Sequence, residues 1–322
     1  KKKNPKTHLI ELVERYFPGK SQYLMAMLAT YCTLGLKDIS QPIPLFIVGR
    51  PSSRKSTLCE IMSILKDDVV WIDDFTSRAF VSAAPSVPDK DRQDLLPMLK
   101  NRLLITPELG TLFKNKNLKE IMGILTRILD GKGFTYATGV GQVGYRGKFF
   151  FAWIAAVVEV PAEVWKILQH LGNRLFFIEI TPDCKSPEAI EAQLGDMVSN
   201  DMEYDEKIGI CQKALLACLK KINFEKGTIT WDRRRDVPEA ITVIKKCAML
   251  LRSLRAGQNS KVVDGQRILD RAILEDPARA MQGLYNMARG LAIADGRNYL
   301  KVEDVITIVN LVLIGEYNEL GD

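Results

Sequence analysis

Gly49, Lys55 and Ser56 lie in the text Gly49-Arg50-Pro51-Ser52-Ser53-Arg54-Lys55-Ser56-Thr57, and their types and spacing are those of a loop that grips phosphate. Such a loop turns backbone N–H groups inward around a β-phosphate. It also sends a lysine to the β/γ oxygens and offers a Ser/Thr hydroxyl to Mg²⁺. The spacing therefore predicts a nucleoside triphosphate gripped by Gly49, Pro51, Ser52, Ser53, Arg54, Lys55, Ser56 and Thr57, with Ser56 on the metal. One fixed position departs: Arg54 stands where a glycine normally lets the phosphates approach without a Cβ. The competing reading is an ordinary basic β-to-α turn in which Ser52 or Ser53 caps a helix.

A triphosphate site also needs a carboxylate at a neighbouring strand end, to hold Mg²⁺ through water and to polarise an attacking water. Val69-Val-Trp-Ile-Asp73-Asp74 and Leu103-Leu-Ile-Thr-Pro107-Glu108 are the two candidates. The first follows Lys55 with room for only one helix and a turn, whereas the second leaves room for an intervening strand and helix. Glu108 is the expected catalytic and metal-side carboxylate, with Pro107 where a metal-side Asp is common.

A third group lies in the glycine-rich stretch 131–148, which reads as a hairpin. There Tyr136 and Tyr145 alternate with Lys132, Arg146 and Lys148, a mixture suited to stacking single-stranded bases and contacting phosphates. Ordinary cross-strand tyrosine pairing accounts for the same residues.

These groups need elements to position them. Apolar runs at Pro44–Val48, Val69–Ile72, Leu103–Thr106, Phe149–Val158 and Leu175–Ile180 have strand length and are separated by helical spacing, which predicts a doubly wound parallel sheet. Residues 8–36 read as two lead-in helices. After Pro182 the pattern turns almost wholly helical, apart from a short Thr228–Trp231 strand signal. The expected domains are 1–42, 43–184 and 185–322.

The bulk numbers agree. A chain of 322 residues, 47% hydrophobic and 26% charged, is an ordinary globular composition. Its formal net charge of +6 permits an anionic partner without requiring one. Six cysteines without a CxxC pair and two histidines argue against a zinc site and for reduced thiols in a cytoplasmic protein. The longest apolar runs are too short to span a bilayer.

The order of these pieces, from Pro44 to about Leu313, resembles the AAA+ ATPases and, more narrowly, the MCM-like ATPases of bacterial and mobile-element genomes. The resemblance rests on the phosphate loop, the acidic strand end LLITPEL and the hairpin before the fourth strand. It continues through Leu171-Gly-Asn-Arg174 and a helical end containing Glu275-Asp-Pro277-Ala-Arg279. It implies an α/β P-loop sheet flanked by helices with an α-helical lid, ATP and Mg²⁺ as cofactors, and a homo-oligomeric ring, a hexamer, on DNA. Arg174 matches an arginine finger that reaches a neighbouring subunit, and Arg279 matches a lid sensor arginine. The implied activity is a DNA-dependent ATPase of helicase or remodeller type. Arg54, Pro107 and Val158, the last where a polar sensor is usual, favour the alternative of a hydrolysis-deficient scaffold or switch. A protein-remodelling chaperone is a third option.

Overall fold

The computed structural model describes residues 4–76, 78–82, 93–139, 141–172, 174–180, 203–256, 260–263, 266–269 and 274–320. The expected boundary at 184/185, Cys184, Asn173 and Lys1–Lys3 lie outside them.

Five parallel strands form one sheet: β1 (Ile43–Val48), β2 (Val69–Trp71), β3 (Leu103–Thr106), β6 (Ala152–Val157) and β7 (Phe176–Glu179), in the order β2-β3-β6-β1-β7. The hairpin strands β4 (Gly133–Thr138) and β5 (Gly141–Arg146) pair apart from it. The apolar runs became buried strands because both faces of the sheet are covered. Leu45, Ile47, Ile154 and Ile178 face one core, whereas Phe46, Val48, Trp153 and Phe177 face the other, the alternation that a pleat imposes.

The first core is built with α1 (Pro5–Tyr16), α2 (Ser21–Cys32) and α3 (Lys55–Met62). The second uses α4 (Leu95–Met98), α5 (Gly110–Phe113), α6 (Leu118–Ile128) and α7 (Ala162–Leu171). The C-terminal helices α8 (Tyr204–Lys221), α9 (Pro238–Leu254), α10 (Pro277–Ala294) and α11 (Val302–Leu320) join the first core. Helix α2 is buried all round because α10 lies directly on it. A Cβ at Gly290 would come 1.9 Å from the Ala29 carbonyl oxygen, and one at Gly283 would come 2.1 Å from the Phe176 ring.

The helical reading of the C-terminal part missed an antiparallel ribbon, β8 (Ser260–Val263) with β9 (Gln266–Leu269). Its sequence signal is the dipeptide Asp-Gly at 264–265 between Val-Val and Gln-Arg-Ile-Leu, a strong hairpin pattern. The Thr228–Trp231 signal yields only an isolated bridge, Leu36 to Ile229.

Candidate functional site

The loop after β1 is held at the C-terminal edge of the sheet. The Gly49 N–H donates to the Val157 carbonyl at 3.1 Å, and the Ser53 N–H closes a tight turn on the Arg50 carbonyl at 3.2 Å. Ser52 (φ 65°) and Arg54 (φ 67°) are both left-handed, so the loop keeps the glycine-type backbone at 54 although the residue is arginine. The Arg54 guanidinium lies over the Phe17 ring, 5.5 Å from its centroid, on the wall of the loop.

Helix α3 begins at Lys55 with no side-chain cap. As at any helix start, its first N–H groups lack partners within the helix and carry the positive end of the dipole. Lys55 is nearly buried. Its ammonium donates to the Gly49 carbonyl (2.5 Å), the Arg50 carbonyl (2.9 Å) and Ser53 Oγ (3.2 Å). Burial pulls the Lys55 pKa down, and the charge of Glu108 opposes that shift.

The loop fits a polyphosphate. A Cβ at Gly49 would meet Ser53 Oγ at 2.8 Å and the Ile180 Cβ at 3.3 Å, so a side chain there would displace the serine that accepts from Lys55. A pocket of about 370 Å³ opens beside it, lined by residues 52–57 and Tyr204. Ser56 is exposed in the first turn of α3. Among the described residues no group of three or more His, Cys, Asp or Glu could hold a metal alone, and Mg²⁺ bound through substrate phosphates needs no such cage.

Glu108 is exposed just past β3. The next N–H, Leu109, donates to the Ala156 carbonyl at 2.9 Å, which ties this strand end to β6, the neighbour of the loop strand. Asp73 and Asp74 follow the edge strand β2, with β3 and β6 between it and β1. They accept locally, from Trp71 Nε1 (3.2 Å) and the Phe75 N–H (2.8 Å). Val158 is 44% exposed at the end of β6.

Arg174 and Arg279 share a partner at the other edge. Arg174 meets Asp130 through Nε (2.8 Å) and Nη2 (3.3 Å), and its Nη1 donates to the Leu171 and Gly172 carbonyls. Arg279 lies 3.7 Å from Asp130 and 4.0 Å from Glu275. Phe176, at the start of β7, pairs in parallel register with Leu45, whereas the phosphate loop follows Val48. The two edges are therefore separated by roughly 13 Å of strand. The structure brings the two arginines together and keeps them away from Lys55 of their own chain.

The hairpin precedes β6, on the edge that carries Arg174. Its tyrosines are half-buried pins: Tyr136 donates to the Val81 carbonyl at 3.4 Å and Tyr145 to Asp94 Oδ2 at 2.9 Å, with both rings packed on the second core. Lys132, Arg146 and Lys148 are exposed. In the stretch Arg233–Arg235, Arg233 pairs with Asp38 at 3.0 Å and Arg235 lies 3.9 Å above the Tyr299 ring.

Three residues at these sites had no sequence signal of their own. Asp130 joins the two arginines, Phe17 carries Arg54, and Tyr204 lines the loop pocket from 147 residues beyond Thr57. All three are long-range contacts.

No helix among the described residues is long and apolar enough to cross a membrane. Comparison with curated proteins finds no match. Residues 273–314 match the AAA lid domain family. The parallel sheet in the order β2-β3-β6-β1-β7, its flanking helices and this lid match together support membership of the AAA+ ATPase superfamily, with an α/β core and a helical lid.

Proposed function

We propose that the chain is a DNA-dependent ATPase, a helicase-like translocase or remodeller that works as a homo-oligomeric ring with its nucleotide between subunits. The observation that carries this reading is the separation of Lys55 from the Arg174–Arg279 pair across the sheet. One chain offers a phosphate loop on one edge and two guanidiniums on the other, so the two meet only when copies pack edge to edge.

In this reading Lys55 and the N–H groups at the start of α3 bind and orient the phosphates, and Ser56 and Glu108 hold Mg²⁺. When bound, Mg²⁺-ATP supplies the scissile phosphoryl bond and the metal's charge. Glu108 takes up the proton of the attacking water. Arg174 and Arg279 of the next copy spread negative charge over their planar forks, which suits the phosphoryl oxygens of a transition state. Lys132, Arg146 and Lys148 contact the DNA backbone, so binding weakens with salt.

A second reading, a nucleotide-gated scaffold with little turnover, draws on Val158, which cannot orient a water where a polar side chain is usual. The two readings separate by Mg²⁺-ATP turnover at fixed salt, with and without single-stranded and forked DNA. The ATPase reading expects DNA-stimulated turnover that Lys55→Ala and Arg174→Ala both abolish. ATP binding without turnover in the parent chain would leave the scaffold.

A further inference from the structure

We propose that Tyr204 is the nucleoside-facing wall of the phosphate-loop pocket, stacking its ring on the base of the bound nucleotide. The inference rests on the phosphate-loop reading and extends it to the uncharged half of the ligand.

The pocket of about 370 Å³ is lined by Ser52, Ser53, Arg54, Lys55, Ser56 and Thr57 of the loop and, from elsewhere among the described residues, by Tyr204. The loop residues are hydroxyls and cations, which suit phosphate; the one planar group among them, the Arg54 guanidinium, lies over the Phe17 ring. Tyr204 supplies the aromatic surface that a base needs. Its orientation is fixed at both ends. Its hydroxyl lies 2.6 Å from Thr57 Oγ1 and donates to Glu60 Oε2 at 3.3 Å, and its ring stands edge-on to Phe17, at 75° with centroids 6.3 Å apart. Despite these ties the residue stays 44% exposed.

Base–aromatic stacking is lost on truncation with an affinity change of about tenfold or more, and it tolerates any base. The selectivity expected at this wall is therefore for a nucleotide over bare triphosphate, with little preference among bases. Tyr204 stands at the first turn of α8, so stacking also ties the bound nucleotide to the C-terminal helices.

The test is calorimetric titration of the full chain with Mg²⁺-ATP and, separately, with inorganic tripolyphosphate and Mg²⁺. Tyr204→Ala and Tyr204→Leu should each weaken ATP binding about tenfold or more and leave tripolyphosphate within about twofold. Tyr204→Phe, which keeps the ring, should bind both like the parent. The leucine variant keeps apolar bulk and stands in if the alanine variant fails to fold. Equal losses for both ligands, no loss of ATP binding, or a Phe variant as weak as the Ala one would each overturn the stacking role and leave the phosphate loop intact. A parent chain that binds neither ligand would overturn the loop reading and this inference with it.

Discussion

The Arg54 guanidinium lies 5.5 Å above the Phe17 ring, linking the residue before the loop lysine to the residue that closes α1. The contact explains how an arginine occupies a glycine position: the backbone adopts φ 67° and the side chain leaves along the wall toward α1. Left-handed backbone costs a residue with a Cβ roughly 1–2 kcal/mol, and an exposed cation–π contact returns about 0.5–1 kcal/mol. Arg54→Ala keeps the strain and loses the contact, whereas Arg54→Gly loses both. The glycine variant should therefore be more stable than the alanine variant by about 1 kcal/mol, read from urea midpoints at neutral pH. Equal stability would mean that position 54 is not left-handed in solution.

Arg174 and Arg279 are gathered by Asp130 on the edge opposite Lys55, which predicts complementation between defective copies. Lys55→Ala and Arg174→Ala chains should each lack turnover alone. Mixed under conditions that allow subunit exchange, they should recover intermediate turnover, because some interfaces then pair an intact Lys55 with an intact Arg174. Arg174→Ala alone should still bind ATP with nearly parental affinity. A mixture as inactive as its components would argue against sites shared between copies.

The sequence is a good guide to whatever local pattern controls here. Pro44–Val48 and Leu103–Thr106 are apolar runs of strand length, and burial on both faces made them strands of one sheet, on either side of β6. The room left in the chain also separates Glu108 from Asp73 and Asp74, which follow β2 at the far edge of the sheet. Tyr136 and Tyr145 show the opposite case. Their spacing fits stacking and fits packing equally well, and only the positions of Val81 and Asp94 decide that they are pins. Asp130, Phe17 and Tyr204 were illegible for a related reason: each works through a partner distant in sequence, and no periodicity encodes a tertiary pairing.

Arg289 of α10 is almost fully buried, paired with Asp38, hydrogen-bonded to Asn286 at 3.0 Å, and faced by the rings of Trp231 (4.9 Å) and Tyr285 (5.1 Å). This cluster fastens the C-terminal helices to the segment leading into β1. Asp38→Ala strands a buried cation and should cost about 2 kcal/mol, at the low end for a broken pair because Asp38 is itself partly open to water. Burial alone would raise the Asp38 pKa, but hydrogen bonds and charge from Arg289, then Arg233, hold it below the ordinary value. A depressed carboxyl stabilises the fold above its unfolded pKa of about 4, and that contribution is lost as pH falls toward the folded value. The gap in urea midpoint between the parent and Asp38→Ala should therefore be full at neutral pH and shrink below about pH 4. A gap independent of pH would show that the loss comes from packing rather than from the ion pair.

Cys59 lies on α3 in the turn after the phosphate loop, fully buried, and gives the fold a sensitivity to alkaline pH. Burial pushes its thiol up to about 12, with Glu60 adding to the shift and Lys55 opposing it. In the unfolded chain the same thiol ionises near pH 8.5. Between these values the folded state holds a proton that the unfolded state has released, so this group lowers stability as pH rises, by about 1.4 kcal/mol per pH unit. Cys211, raised to about 11 by burial, acts in the same direction. Lys55 acts in the opposite one: its depressed pKa means that the cost of burying its charge is relieved as pH passes from its folded value up toward the ordinary lysine value. Urea unfolding at about pH 8 and about pH 10 should show the parent losing stability across the interval. Cys59→Ala should start lower, from the lost packing, and fall with a slope smaller by roughly 1 kcal/mol per unit. Native-state alkylation at about pH 8 should leave Cys59 unmodified until the chain unfolds. An unchanged slope in Cys59→Ala, or rapid labelling of Cys59 in the folded chain, would show that the thiol beside the phosphate loop is open to solvent.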